Sequence, residues 1–197
     1  NSVDDGHEIS LGGGITPSWQ GFLTLGQGDL HRLEGVLDKR RNLTIGANYI
    51  RPTEDQQKQL QGRLRYEVRQ DRGMDNINST LLDINIKGRL NQDITLMGSL
   101  NWGQSEDTDT DIVQAKNNRF DLSAAYRPLL KDNLNIVGKY SWVEDKQPQG
   151  QIGDLGLEAQ QAHVLSGDIL YDLNAKWSLG AKLAARHGEE KVQNLRW

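Results

Sequence analysis

The residue types best suited to metal chemistry are three alternate carboxylates. Asp107, Asp109 and Asp111 form a D-x-D-x-D run, the pattern that begins a calcium-binding loop. An EF-hand loop also needs glycine at its sixth position and glutamate at its twelfth, where this chain has Ile112 and Asn118. An EF-hand is therefore excluded. A weak surface candidate for a metal site is left, with a solvated acidic loop as the alternative.

The other groups that could do chemistry do not form a recognisable constellation. The four histidines include no HExxH motif and no i, i+4 pair: His7, His31, His163 and His187. There is no cysteine, which excludes thiolate catalysis and disulfides. The glycines at 12–14 are not followed by the GK[ST] of a phosphate-binding loop. Ser141 and Ser178 lie among charged residues and are interpreted as lining a lumen. We expect neither enzymatic activity nor a cofactor.

Composition limits the class of protein. The 197 residues carry a net charge of -4, and only 36% of them are hydrophobic. An acidic chain with a pI near 5.6 argues against binding to nucleic acid. No apolar run approaches the roughly twenty residues that a membrane-spanning helix needs. If the chain enters a membrane, it does so with β-strands.

One segment shows the organisation of the chain most clearly. In residues 133–144, NLNIVGKYSWVE, alternate positions form an apolar face: Leu134, Ile136, Gly138, Tyr140 and Trp142. The positions between them form a polar face that includes Asn135 and Lys139. Period-two alternation predicts a β-strand with one face in an apolar environment. We expect Leu134, Ile136 and Gly138 to meet lipid, the two aromatic residues to lie at the outer interface, and Lys139 to point into a lumen.

The same alternation recurs along the chain and predicts about eleven strands. The other ten segments are residues 9–15, 19–26, 30–37, 43–50, 60–68, 82–90, 94–102, 120–126, 165–173 and 177–185. The charged residues of the polar face are predicted to line a lumen: Arg63, Arg65, Glu67, Asp83, Lys87, Arg89, Asp121, Arg127, Lys139, Asp168, Lys182 and Arg186. The aromatic residues near the strand ends predict two girdles at membrane interfaces: Tyr49, Tyr66, Trp102, Tyr126, Tyr140, Trp142, Tyr171 and Trp177.

The predicted connections alternate in length from residue 71 onward. The long ones are residues 71–78, 103–118 and 145–161, and the short ones are 91–92, 128–132 and 174–176. Outer-membrane barrels alternate in this way because their periplasmic turns are tight. We expect the long loops outside the cell and the short turns in the periplasm.

Two segments carry a family resemblance. Residues 119–145, RFDLSAAYRPLLKDNLNIVGKYSWVED, and 163–189, HVLSGDILYDLNAKWSLGAKLAARHGE, resemble the C-terminal outer-membrane barrel of large multidomain surface proteins of proteobacteria. Strands ending in Tyr-Arg-Pro or Tyr-x-Trp and a YDLNxxWxLGxK hairpin recur in that group. The resemblance implies an all-β, antiparallel, up-and-down transmembrane β-barrel in the outer membrane of a Gram-negative bacterium. Residues 1–197 would be a single barrel domain or a fragment of one.

The strand count and the C-terminal residues bear on how such a barrel would close. An odd strand count does not fit a bacterial single-chain barrel, and Trp197 has few apolar neighbours in phase. We therefore expect part of a larger barrel of 12 to 16 strands, completed by the same polypeptide or another subunit. Expected partners are outer-membrane lipid, lipopolysaccharide and the barrel-assembly machinery. The leading function is a membrane anchor or export barrel for a surface-exposed region. The alternatives are a porin-like channel for ions or small polar solutes and a soluble β-barrel binding protein.

Overall fold

The computed structural model describes residues 3–31, 37–51, 59–73, 76–129, 133–148 and 157–193. These residues form ten antiparallel strands in one sheet, with no helix among them. The strands are β1 (Val3–Gly14), β2 (Trp19–His31), β3 (Leu37–Ile50), β4 (Leu60–Arg72), β5 (Ile77–Arg89), β6 (Ile94–Asp107), β7 (Ile112–Tyr126), β8 (Leu134–Pro148), β9 (Leu157–Asn174) and β10 (Trp177–Gln193).

The sheet has the simplest possible order, because each strand pairs with its neighbours in the chain from β1 to β10. The predicted all-β, antiparallel, up-and-down architecture is confirmed. Within the described residues, β1 pairs only with β2 and β10 only with β9, so the sheet is not closed.

Strand register brings the predicted apolar faces together on one side of the sheet. Leu122 of β7 lies opposite Gly98 of β6 and Tyr140 of β8. Directly opposed residues of antiparallel strands point to the same face, so each pairing extends that face by one strand. One such row crosses the sheet from β2 to β10: Trp19, Tyr49, Gly62, Ile86, Gly98, Leu122, Tyr140, Leu165 and Ala185.

That row meets successive strands at different distances from their ends. It begins at Trp19, the first residue of β2, but it crosses β9 at Leu165, far from the turn at that strand's end. The residues beside that turn are Tyr171 and Trp177. Pairing is thus progressively staggered along the sheet, which is the geometry that a barrel wall requires.

The ten described strands agree with the prediction of about eleven, and the difference of one arises because residues 30–37 do not form a strand of their own. Leu30 and His31 end β2, and Leu37 begins β3. They pair with each other across a hairpin, His31 opposite Leu37. Residues 32–36 lie outside the described residues.

The predicted alternation of long and short loops is also wrong. Strand β6 continues to Asp107 and β7 begins at Ile112, so the connection is only 108–111 rather than 103–118. Strands β4 and β5 similarly reduce the connection predicted at 71–78 to 73–76. Polar residues predominate on both faces of these strand ends, so they show no regular alternation, yet their backbones still pair. Strands β8 and β9 extend into the third predicted loop, and residues 149–156 and Trp197 lie outside the described residues.

On the polar face, the ring of Phe22 packs closely over the backbone of Gly46. A Cβ atom at Gly46 would collide with the Phe22 ring and lie 2.8 Å from the carbonyl oxygen of Leu64. We expect Gly46→Ala to destabilise the sheet by about 1–3 kcal/mol through overpacking. The measurement is the free energy of unfolding by urea in detergent micelles.

Gly138 is the matched control, because a Cβ atom there would meet nothing within 4 Å. Gly138→Ala should leave the free energy of unfolding nearly unchanged. Equal losses from the two substitutions would contradict the proposed clash at Gly46.

Candidate functional site

The apolar face is the more exposed side of the sheet. Ile86 and Leu122, near the middle of their strands, are 52% and 50% exposed. The side chain of Asp121, on the polar face, is only 17% exposed. Large exposed apolar patches in proteins mark surfaces that are covered by a partner or a membrane.

Two rows of aromatic side chains border this apolar face. The row near the connections 15–18, 90–93 and 175–176 contains Trp19, Tyr49, Tyr126, Tyr171 and Trp177, and the opposite row contains Tyr66, Trp102, Phe120, Tyr140 and Trp142. All eight aromatic residues singled out in the sequence lie on this face. We call the surface between the rows the apolar belt, and we call the two rows the lower and the upper row, respectively.

Sequence reasoning missed two members of these rows. Trp19 packs against Tyr49 with ring centroids 4.8 Å apart, and Phe120 packs against Tyr140 at 6.4 Å. Both residues begin a predicted strand, in the segments 19–26 and 120–126, so their position near a strand end was a signal that the sequence offered. Their cross-strand packing against Tyr49 and Tyr140 became visible only in the structure.

Beyond the upper row, the same face becomes polar although the strands continue. Asn118 and Glu144 are the next residues after Phe120 and Trp142, and they lie directly opposite each other. Glu144 accepts hydrogen bonds from Asn118 Nδ2 at 2.6 Å and Gln161 Nε2 at 3.3 Å. The Nζ atom of Lys116 lies 3.1 Å from its carboxylate. These residues are named here the Glu144 cluster. It was missed because Lys116, Asn118 and Gln161 were assigned to loops and Glu144 was the last residue of its predicted strand.

The polar face carries eleven of the twelve charged residues that the sequence predicted to line a lumen, and the twelfth, Arg127, follows the last residue of β7. Register places Arg65 opposite Asp83, Lys139 opposite Ser123, and Lys182 opposite Asp168. A cavity of about 730 Å³ lies against this face, lined mainly by polar-face residues from β2 to β8. The polar face is therefore the concave side of the sheet.

Asp121 is the most heavily bonded carboxylate on the polar face. Its oxygens lie 2.7 Å from Arg119 Nε and 3.2 Å from Lys139 Nζ, and they accept a hydrogen bond from Ser141. Ser99 donates to the same carboxylate at 3.3 Å. The Asp121 carboxylate therefore links β6, β7 and β8 on the polar face and holds the two cations, Arg119 and Lys139, beside one anion.

A second set of ion pairs lies on the polar face toward the hairpin ends at 32–36 and 73–76. Arg40 Nε is 2.9 Å from Asp71, and Arg69 Nε is 3.5 Å from the same carboxylate. Arg65 pairs with Glu67 two residues along β4. Sequence reasoning did not single out Arg40 or Asp71, because both lie where the alternation of apolar residues has ended.

The acidic run at 107–111 forms a turn. Asp107 accepts hydrogen bonds from the backbone N–H groups of Asp109 and Thr110, and Asp109 accepts one from the side chain of Asn76 at 2.7 Å. Asp111 has a φ of 55°, which closes the hairpin in the left-handed region. In the part of the chain that the structure describes, no three acidic or histidine residues are arranged to hold a metal ion.

Comparison with known proteins identifies no relative. No protein-family model, no curated protein and no solved structure matches the chain. Among the described residues there is no helix with the length and hydropathy of a membrane span, a finding that does not bear on β-barrels.

The Glu144 cluster, which lies outside the apolar belt, generates a prediction about pH. Burial alone would raise the pKa of Glu144, but hydrogen bonds from Lys116, Asn118 and Gln161 hold that pKa below its ordinary value of 4.5. A carboxylate with a lowered folded-state pKa stabilises the fold above its ordinary pKa, and this contribution is lost as the pH falls through the lowered value. Glu144→Gln should therefore cost about 1–3 kcal/mol of unfolding free energy near pH 7.

The difference between wild type and Glu144→Gln should be constant at neutral pH and should shrink as the pH falls below 4.5. Urea unfolding at a series of pH values measures it. Glu106→Gln is the control, because Glu106 makes no ion pair within the described residues. A difference that persists unchanged to low pH would contradict the role assigned to the Glu144 carboxylate.

Proposed function

We propose that this sheet is part of the wall of a transmembrane β-barrel in the bacterial outer membrane. The observation that carries the proposal is the continuous apolar belt, bounded by two aromatic rows, on the exposed side of the sheet. Burying apolar surface contributes roughly 25 cal/mol per Å², so exposing the belt to water is costly and facing lipid relieves that cost. Aromatic residues favour the two membrane interfaces.

The height of the apolar belt fits a membrane. On β6 it runs from Ile94, opposite Tyr126 of the lower row, to Trp102 in the upper row. Eight residue steps at about 3.3 Å, in strands tilted by about 40°, span about 20 Å along the membrane normal. The apolar band of outer-membrane barrels is about 25 Å tall.

Closure of the wall must use the free edges of β1 and β10. An unpaired strand edge in hydrocarbon leaves backbone groups without hydrogen bonds, each costing several kcal/mol. We propose that further strands of the same polypeptide or of another subunit pair with these edges. Proteins of this kind are inserted by the barrel-assembly machinery and contact outer-membrane lipid and lipopolysaccharide.

The proposed role is a membrane anchor or export barrel for a surface-exposed region. Hairpins β4–β5 and β6–β7 support it, because both continue beyond the upper row with mostly polar residues. At the same end of the sheet, β7 and β8 are held together by the Glu144 cluster. Such extensions are suited to an aqueous surface and hold surface segments at a defined height above the membrane.

The orientation of the wall can be tested with one charge placed on either face of β5. Ile86 lies in the middle of the apolar belt, opposite Gly62 and Gly98, and Asn85 lies beside it on the polar face. Ile86→Arg should impair membrane assembly of the full-length chain by about 2–4 kcal/mol if the belt faces lipid. Asn85→Arg should be tolerated, because Asn85 already donates a hydrogen bond to Asp83, which a guanidinium can replace.

The readout is heat-modifiable migration of the protein extracted from membranes, together with urea unfolding in lipid vesicles. Equal tolerance of arginine at the two positions would refute the orientation. Monodisperse behaviour in buffer without detergent, with no heat-modifiable migration, would refute the membrane location and favour a soluble β-barrel binding protein.

A porin-like channel for ions or small polar solutes is the second candidate. The cavity of about 730 Å³ supports it, because this polar-lined space lies on the side of the sheet that would face a lumen. We expect a channel to give stable single-channel conductance steps in planar bilayers containing the full-length chain. Heat-modifiable protein that gives no conductance would exclude the channel and leave the anchor.

A further inference from the structure

The cavity on the polar face is lined by more positive than negative side chains. Three cations line it, Arg63, Lys87 and Lys139, against one carboxylate, that of Asp121. The remaining lining is neutral. This balance is opposite to that of the whole chain, whose net charge is -4.

The single carboxylate is already neutralised. Asp121 lies 3.2 Å from Lys139 Nζ and 2.7 Å from Arg119 Nε, so one lining cation and one outside the cavity share it. Arg63 and Lys87 form no ion pair within the described residues. They are left as the two uncompensated charges of the cavity wall.

Arg63 and Lys87 are close enough to act on one ligand. Arg63 lies opposite Asn85, and Lys87 is the next residue on the same face of β5. Diagonal neighbours in an antiparallel pair are about 7–8 Å apart at the backbone, within reach of two long side chains. Asp83 occupies the other diagonal position; it receives a hydrogen bond from Asn85 and does not line the cavity.

The neutral lining is rich in hydrogen-bond donors. The side-chain amides of Asn48, Gln61 and Asn85 and the hydroxyls of Ser99 and Ser123 line the same cavity. A guanidinium group presents a planar fork of donors that matches two oxygens of an oxyanion, and an ammonium group adds a point charge. The combination is suited to a small anion with several oxygens.

The other two arginines of β4 on the polar face do not share this property. On the same strand, Arg65 pairs with Glu67 and Arg69 with Asp71. Among the described residues, Arg63 is therefore the polar-face arginine of β4 that keeps an uncompensated charge, and it lies in the cavity near the lower row.

We propose that the cavity formed around Arg63 and Lys87 is a binding site for small oxyanions such as inorganic phosphate or sulfate. The proposal rests on the proposed function, because it requires the polar face to line an aqueous lumen. In a channel, the same two residues would favour the passage of anions over cations.

The test is calorimetric titration of inorganic phosphate into the full-length protein in a neutral detergent. We expect saturable binding, weakened about tenfold by Arg63→Gln and by Lys87→Gln, because each removes a charge-assisted hydrogen bond. Arg65→Gln is the matched control, two residues along β4 and already paired with Glu67. It should bind phosphate like the wild type.

Heat-modifiable migration of each sample separates the two proposals. Wild-type protein that migrates as a barrel but binds no phosphate overturns the anion site and leaves the barrel standing. A loss of affinity in Arg65→Gln as large as that in Arg63→Gln does the same. Wild-type protein without heat-modifiable migration refutes the barrel itself. Binding only to micelles doped with an anionic phospholipid, and not to free phosphate, would also overturn the proposal, because the ligand would then be a lipid headgroup.

Discussion

The structure depends on the register of an antiparallel meander in which every strand has one apolar face. Side chains alternate with a period of two, so slipping a strand by one residue would turn its apolar face to the opposite side of the sheet. Leu122 is held between Gly98 and Tyr140, and Ile86 between Gly62 and Gly98. The whole apolar belt follows from such pairings repeated across ten strands.

The distribution of polarity is the reverse of that in a soluble sandwich. The concave side holds the charges, and Asp121 with Arg119 and Lys139 joins neighbouring strands there through ion pairs. Such groups are stable on a half-buried face because each charge has a partner or reaches water. The exposed side is apolar, with glycine at positions such as Gly138 where the surface has no side chain. We interpret this inversion as an adaptation to a lipid environment around a polar interior.

The two ends of the sheet differ in the polarity of the strand ends on the outer face. They do not differ consistently in the length of the connections. Toward the lower row, apolar and aromatic residues such as Tyr126 and Trp177 continue to the strand ends. Toward the upper row, the strands outrun the apolar belt and their outer face becomes polar, as at Asn118 and Glu144. Hydrogen bonds and ion pairs stabilise those extensions in place of apolar contacts, which explains why Glu144 is buried although it is charged.

The sequence by itself determined the strands, their two faces and the side on which the charged and aromatic residues lie, because period-two alternation is a local property. It did not determine where strands end when both faces are polar, so residues 103–118 were predicted to be a loop although β6 and β7 pair through most of that segment. Only the tertiary structure brought Arg40 to Asp71, joined Asn118 to Glu144, and left Arg63 and Lys87 together in one cavity. Those relations depend on cross-strand register, which joins residues far apart in the chain and has no local signal.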